Sequence, residues 1–248
     1  MTAYNRSLHT DTQHTAAASR SYCAPVILNV RPQRNTVRCP LPIEYRPTMS
    51  TVRPGNLTAL VVVDVQVGVM ANSWDAPRIV KNVARAVERA REGGVPVLWV
   101  QHESDELPRD SSSWQLVPEL VPAFGEKRVY KRFPSSFEET NLESGLSEMG
   151  TTRLVLAGAQ TNWCIRATAY AALDRGYDLT LLKDAHTTES IDLDDGSKVE
   201  ASSIITDLNI TMKWLTYPGR ANGTESAEEV DFATTIASAT VYAFIPEK

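Results

Sequence analysis

Residues 59–65 read Ala-Leu-Val-Val-Val-Asp-Val, a continuous apolar run closing on an acid. Such a run predicts a strand covered on both faces, with Asp64 at its carboxyl end. The period then changes. Ile79, Val80, Val83, Ala84, Val87 and Ala90 share one helical face over Pro77–Arg91, with Pro77 in the first turn and Gly93-Gly94 ending the helix. Val95–Gln101 predicts a second strand. Glu103–Gly125 has no sustained period and predicts a long loop with short turns, and Arg128–Lys131 predicts a short strand. Thr140-Asn-Leu-Glu143 has the form of a capping box opening a helix that ends at Gly150. Further along, the pattern predicts a strand over Arg153–Ala157, a helix over Asn162–Arg175 closed by Gly176, a strand over Asp178–Lys183 and a helix over Ser197–Leu215. Val230–Phe232 predicts a short strand, and Ala233–Phe244 fits either helix or strand. This alternation implies an α/β fold with a mainly parallel sheet and helices on both faces. In such sheets ligands bind outside the carboxyl ends of the strands.

The composition is globular: 248 residues, 42% hydrophobic and 22% charged. That suits one domain, or one domain with an appendage. No apolar run is long enough for a membrane-spanning helix, so no membrane partner is expected. A net charge of −5 argues against a dedicated nucleic-acid partner. Three cysteines, an odd and sparse number, suit free thiols in a reducing compartment and hence a cytoplasmic location. The charge is uneven, however. Residues 1–53 hold seven Arg, no Lys and only Asp11 and Glu44 as acids, with much Ser, Thr and Pro. They read as a basic, poorly ordered extension to a domain over 54–248. Competing readings are an Arg-rich targeting peptide, or a natural start at Met49. The absence of a clean amphipathic helix favours a tail or the later start.

Motifs narrow the chemistry by exclusion. The chain has no phosphate-binding G-x-x-x-x-G-K-[ST], no G-x-G-x-x-G, no G-x-S-x-G, no H-E-x-x-H and no C-x-x-C. His102 and His186 are the only histidines outside the extension, too few for a histidine-built metal site. Three groups stand at strand ends: Asp64, Lys131 and Cys164. Taken singly, each residue type is more often structural: a turn or cap, a solvated surface cation, a small buried hydrophobe. Taken together they could act. A thiol at a helix N-terminus beside an ammonium should be acidified, and a carboxylate within reach could take its proton. Spacing alone does not show that the three converge. Gln66, two residues past Asp64, would face the same side if the strand continued. Trp114 is a candidate to cover a substrate, Phe137 to pack near Lys131, and Thr161 to bond a substrate or cap the helix.

Three segments together resemble the isochorismatase-like cysteine hydrolases: Leu60-Val-Val-Val-Asp64-Val-Gln66, Val129-Tyr-Lys131-Arg-Phe-Pro-Ser-Ser-Phe137, and Leu156-Ala-Gly158-Ala-Gln-Thr161-Asn-Trp-Cys164-Ile-Arg166. A fourth, Gly176 to Ala185, is similar to the strand that follows in this family. The likeness covers roughly residues 57–217, in the right order and spacing. It implies a three-layer αβα sandwich and a Cys-Asp-Lys triad. By position, Cys164 is the nucleophile, Asp64 the general base and acid, and Lys131 the orienting cation. It places oxyanion donors at the backbone N–H groups of Gln160 and Cys164, and a cis peptide between Ala159 and Gln160. The implied reaction is hydrolysis of a C–N bond in a small amide, carbamoyl or lactam substrate, with no cofactor and no metal. The stretch Trp99-Val-Gln-His102-Glu-Ser-Asp105 lacks the further histidines of the family's metal-containing nicotinamidases. The likeness points to the metal-free branch, nearest the streptothricin hydrolases and N-carbamoylsarcosine amidases. Many relatives carry His-His-Asn where this chain has Asp207-Leu208-Asn209. A homodimer or larger homo-oligomer is implied. Vinyl-ether hydrolysis of the isochorismatase type, or an idle binding or assembly protein on the same fold, are the alternatives.

Overall fold

The computed structural model describes residues 53–232. Six strands form one parallel sheet in the order β3-β2-β1-β4-β5-β6. They are β1 (Leu57–Val63), β2 (Val97–His102), β3 (Lys127–Lys131), β4 (Thr151–Ala159), β5 (Asp178–Thr187) and β6 (Asn222–Glu225). Two paired stubs, Ile191–Asp192 and Lys198–Val199, make a separate antiparallel hairpin. The longer helices are α1 (Ala76–Glu92), α2 (Arg166–Asp174) and α3 (Ala201–Trp214), with a shorter helix at Leu142–Glu148.

The apolar run of β1 is buried on both faces, as a central parallel strand requires. Leu60 and Val62 pack with Trp99 and with Ile79, Val83, Val87 and Ala90 of α1. Ala59, Val61 and Val63 face the other way, into a core shared with Leu142, Leu146, Ala172, Leu173, Leu208 and Met212. One helix therefore covers one face and three cover the other, the three layers that the sequence resemblance implied.

The strand order reverses at β1. From β1 the chain steps outward to β2 and β3, then returns to the other side of β1 for β4. The crevice at the carboxyl ends of β1 and β4 is the switch point where such sheets bind ligands.

Several predicted boundaries moved. The first strand ends at Val63, because Asp64 adopts a left-handed φ of 52°. Thr140 does not form a capping box: its hydroxyl donates to the Ser136 carbonyl, and Asn141 precedes the helix with no side-chain cap. The helix predicted from Asn162 begins as a single π turn over Thr161–Ile165. β5 runs on to Thr187, and α3 starts at Ala201 because the residues before it form the hairpin. Val230–Phe232 is not a strand; its apolar side chains instead pack in the α1-side core, and the last described strand is the polar Asn222–Glu225. Ala233–Phe244 lies outside the described residues.

Candidate active site

Three strand ends bring Asp64, Lys131 and Cys164 together. Asp64 follows β1, and its amide N–H still donates to Val100 O at 2.9 Å, so the backbone is anchored while the left-handed turn redirects the side chain. Asp tolerates that conformation better than most residues. Cys164 follows β4 in the π turn. The approach of β4 to β1 here demands glycine. Gly158 has a φ of 125°, and a Cβ on it would overlap the Val63 carbonyl. The Ala159–Gln160 peptide bond is cis, as the resemblance implied.

Lys131 comes from farther away. Its strand lies two positions from β1, roughly 10 Å at normal strand spacing. A long side chain is needed to cross β2. The Lys131 ammonium reaches 2.6 Å from Asp64 Oδ2 and donates to Cys164 Sγ at 3.1 Å. Both partners of the ion pair are almost completely buried. Asp64 meets the Lys131 ammonium and the Cys164 thiol, and no donor from outside these two residues satisfies its carboxylate oxygens. Burial alone would lower the lysine pKa, but the neighbouring Asp64 and Cys164 overcome it and raise the value.

The thiol differs from the sequence expectation of an acidified cysteine. Burial and the adjacent Asp64 carboxylate push Cys164 up to about 12, against the opposing pull of Lys131. The π turn that carries the thiol runs on directly into α2. At rest the sulfur holds its proton.

The remaining candidates are placed unequally. Gln66 is fully buried, and its amide is saturated by backbone: Nε2 donates to the carbonyls of His102 (3.0 Å) and Trp114 (2.8 Å), and Oε1 accepts from the His102 N–H (2.8 Å). It ties the long loop to the sheet, with both amide protons taken by backbone carbonyls. Trp114 is also buried, its ring 5.6 Å from that of Tyr130. Tyr130 and Lys131 are successive strand residues and point to opposite faces, so the sheet separates Trp114 from the thiol. Phe137 packs against Tyr177 in the helix-covered core, 5.9 Å between ring centres. The Thr161 hydroxyl donates to His186 Nδ1 at 2.8 Å and caps nothing. Gln160 sends its side chain to Glu189, with Nε2 3.2 Å from Oε1. The amides of Trp163 and Ile165 both donate to the Gln160 carbonyl at 3.1 Å.

Two features escaped sequence reasoning. His186 is wholly buried between Thr161 and Asn209, with Nε2 3.1 Å from Asn209 Oδ1. An amide oxygen can only accept, so Nε2 carries the proton and Nδ1 accepts from Thr161. Asn209 in turn donates to the Lys183 carbonyl at 3.0 Å. Burial lowers the pKa of His186 to about 4. His102, the cross-strand neighbour of Lys131, puts Nδ1 3.4 Å from the ammonium. Only the register between β2 and β3 reveals it. Among the described residues, no group of three or more His, Cys, Asp or Glu side chains could hold a metal ion.

Comparison with known proteins bears on the family and the fold. An isochorismatase domain model matches residues 58–207. A streptothricin hydrolase from Streptomyces noursei is 33% identical over 58% of this chain and 59% of its own length. An N-carbamoylsarcosine amidase from Arthrobacter is 30% identical over 50% of this chain and 56% of its own. The chain thus spans little more than half of these two proteins. A probable inactive nicotinamidase from Arabidopsis thaliana is 35% identical over 55% of this chain and 87% of its own. The crystal structure of an isochorismatase family protein superposes with a TM-score of 0.60 at 27% identity, covering 68% of this chain and 98% of that one.

Proposed function

We propose that this chain, which belongs to the isochorismatase family, is a cysteine hydrolase that cleaves a C–N bond of a small amide, carbamoyl or lactam substrate. The observation that carries this reading is the half-buried Cys164 thiol in contact with the buried Asp64–Lys131 pair. The names of the streptothricin hydrolase and amidase relatives support the same bond class.

With its pKa pushed up to about 12, the thiol is protonated at neutral pH. Attack is therefore coupled to proton transfer. Asp64 takes the thiol proton as sulfur bonds to the substrate carbonyl carbon. Lys131, held between carboxylate and sulfur, stabilises the negative charge wherever it resides. The carbonyl oxygen becomes an oxyanion held by the backbone N–H groups of Gln160 and Cys164. These two donors are the ones the family resemblance implies; the Trp163 and Ile165 amides of the same turn are engaged with Gln160 O. Asp64 then gives its proton to the departing nitrogen, the C–N bond breaks, and a thioester remains. Asp64 next removes a proton from water, whose oxygen attacks the thioester. The acid product leaves and the thiol regains its proton. No cofactor enters this cycle.

The hydrolase domain is residues 54–248 in this reading, with 1–53 a basic extension. The protein works in the cytoplasm as a homodimer or larger homo-oligomer. No helix among the described residues is long and apolar enough to cross a membrane.

The test is ammonia release from a panel of amides, ureido acids and carbamoyl compounds by wild type and Cys164→Ala. Streptothricin is followed by mass spectrometry, since opening a lactam releases no ammonia. Turnover that disappears in the variant supports thiol-dependent hydrolysis. Turnover that survives in Cys164→Ala would instead favour vinyl-ether-type chemistry without the thiol. An inert wild-type protein would align the chain with the relative named inactive.

A further inference from the structure

The Lys131 ammonium faces more acceptors than the triad accounts for. Besides Asp64 Oδ2 and Cys164 Sγ, it meets the Phe133 carbonyl at 3.3 Å and His102 Nδ1 at 3.4 Å. An ammonium has three protons, so its orientation depends on how these acceptors are arranged. His102 ends β2, the strand that Lys131 must cross to reach Asp64, and is its direct register partner. The backbone of His102 is gripped on both sides by one side chain, that of Gln66. Gln66 lies two residues beyond Asp64. The backbone that carries the imidazole is thus fastened to the same loop that presents the carboxylate.

We propose that His102 is a positioning residue for the reaction. As a neutral imidazole it accepts from Lys131 through Nδ1 and holds the ammonium over Asp64 and Cys164, while Gln66 fixes the placement of the ring. The inference rests on the reading of Lys131 as the cation of the triad. The charged groups facing the ring are Lys131 from β3, Asp64 from the end of β1, and Glu103 and Glu106 from the following loop. Burial and Lys131 lower the pKa of His102 against the pull of the three carboxylates, so the ring stays neutral at neutral pH. Protonation would turn the Nδ1 acceptor into a donor and set a second cation against the ammonium. Activity should fall as pH drops through this titration, below the ordinary imidazole value of about 6.5.

Two substitutions separate positioning from bulk structure. In His102→Asn the side-chain oxygen can stand in for Nδ1 but cannot be protonated. In His102→Leu the acceptor is gone. The full-length protein is assayed from pH 5 to 9 on whichever amide it turns over. At pH 8, His102→Leu should lose roughly ten- to a hundredfold in kcat with a smaller change in KM, and His102→Asn should stay within roughly fivefold of wild type. The acid limb of the kcat profile should move to lower pH in His102→Asn. An unchanged limb in that variant, or wild-type kcat in His102→Leu, would overturn the proposal. Alkylation of Cys164 by iodoacetamide, read by peptide mass, follows the same geometry without substrate. At pH 9 it should be several-fold slower in His102→Leu than in wild type or His102→Asn, and equal rates in all three would also overturn it. This readout stands even if no amide is turned over, so failure of the hydrolase reading and failure of the His102 proposal can be told apart.

Discussion

Two buried polar clusters sit within a few residues of each other at the carboxyl end of the sheet, and they are built on opposite principles. In the first, Thr161, His186, Asn209 and the Lys183 carbonyl form a closed chain of donors and acceptors. In the second, Asp64, Lys131 and Cys164 are in contact, yet no donor from outside the three satisfies the carboxylate oxygens and the thiol is not fully covered. Each has two almost completely buried members, Thr161 and His186 in the first and Asp64 and Lys131 in the second. A satisfied network fixes structure, whereas a buried carboxylate with bonding capacity to spare is a group waiting for a proton or a ligand. The closed cluster pins the first residue of the turn, and the open one presents its thiol.

This contrast can be broken at several points. The largest effect falls on activity. Asp64→Asn or Cys164→Ala should lower kcat by roughly 10³-fold or more, because both proton transfer and nucleophile act as a unit. His186→Gln, in the closed cluster, should cost no more than roughly tenfold in the same assay. Comparable losses in both would erase the distinction.

The next effect is on stability. Lys131→Met leaves the Asp64 carboxylate buried beside no cation and should cost about 3–5 kcal/mol in urea unfolding. Replacing both, Asp64→Leu with Lys131→Met, should restore much of that loss while the protein remains inactive. A double variant no more stable than the single one would show that the pair supports the fold rather than burdening it.

The closed cluster has a pH signature. His186 must stay neutral to accept from Thr161 while donating to Asn209. Its pKa is about 4 in the folded protein against about 6.5 unfolded, so the unfolded chain binds the extra proton between these values. Stability is full above the unfolded value and falls progressively as pH drops toward 4, by about 3 kcal/mol in total. The melting temperature of wild type should decline more steeply between pH 6.5 and 4.5 than that of His186→Gln. Parallel curves would remove His186 from the explanation.

The smallest effect lies at the boundary of the basic segment. Arg53 stacks over the Tyr177 ring at 4.1 Å and pairs with Glu143 at 2.5 Å. Arg53→Ala should cost about 1 kcal/mol by chemical denaturation and leave kcat unaltered. A change in kcat would mean that this clasp communicates with the site.

Much of this was legible in the chain. Continuous apolar runs marked the central strands, because a parallel sheet covered on both faces tolerates no alternation. The helical period of residues 77–91 located α1 to within a residue at each end. The three groups at strand ends were visible by type, and the ordered motifs gave their positions. What stayed hidden depends on register and on side-chain saturation. The Lys131–His102 contact follows from which residues of β2 and β3 stand side by side, and sequence spacing across a long loop does not encode that. Gln66 looked free to meet a ligand because Asp64 precedes it by two residues. A left-handed turn and three backbone partners turn it into a clamp instead. The thiol misled in the same way: a cation beside a turn suggests acidity, but burial and a neighbouring carboxylate outweigh both.

The central claim is that Cys164 forms a thioester whose hydrolysis depends on Asp64. The direct measurement is rapid acid quench of the enzyme mixed with a turned-over amide or carbamoyl compound, followed by peptide mass spectrometry. The account predicts an acyl group on the peptide carrying Cys164, formed while ammonia or amine is released, and absent in Cys164→Ala. Steady turnover with an unmodified Cys164 at every quench time, at the same rate in the alanine variant, would contradict it.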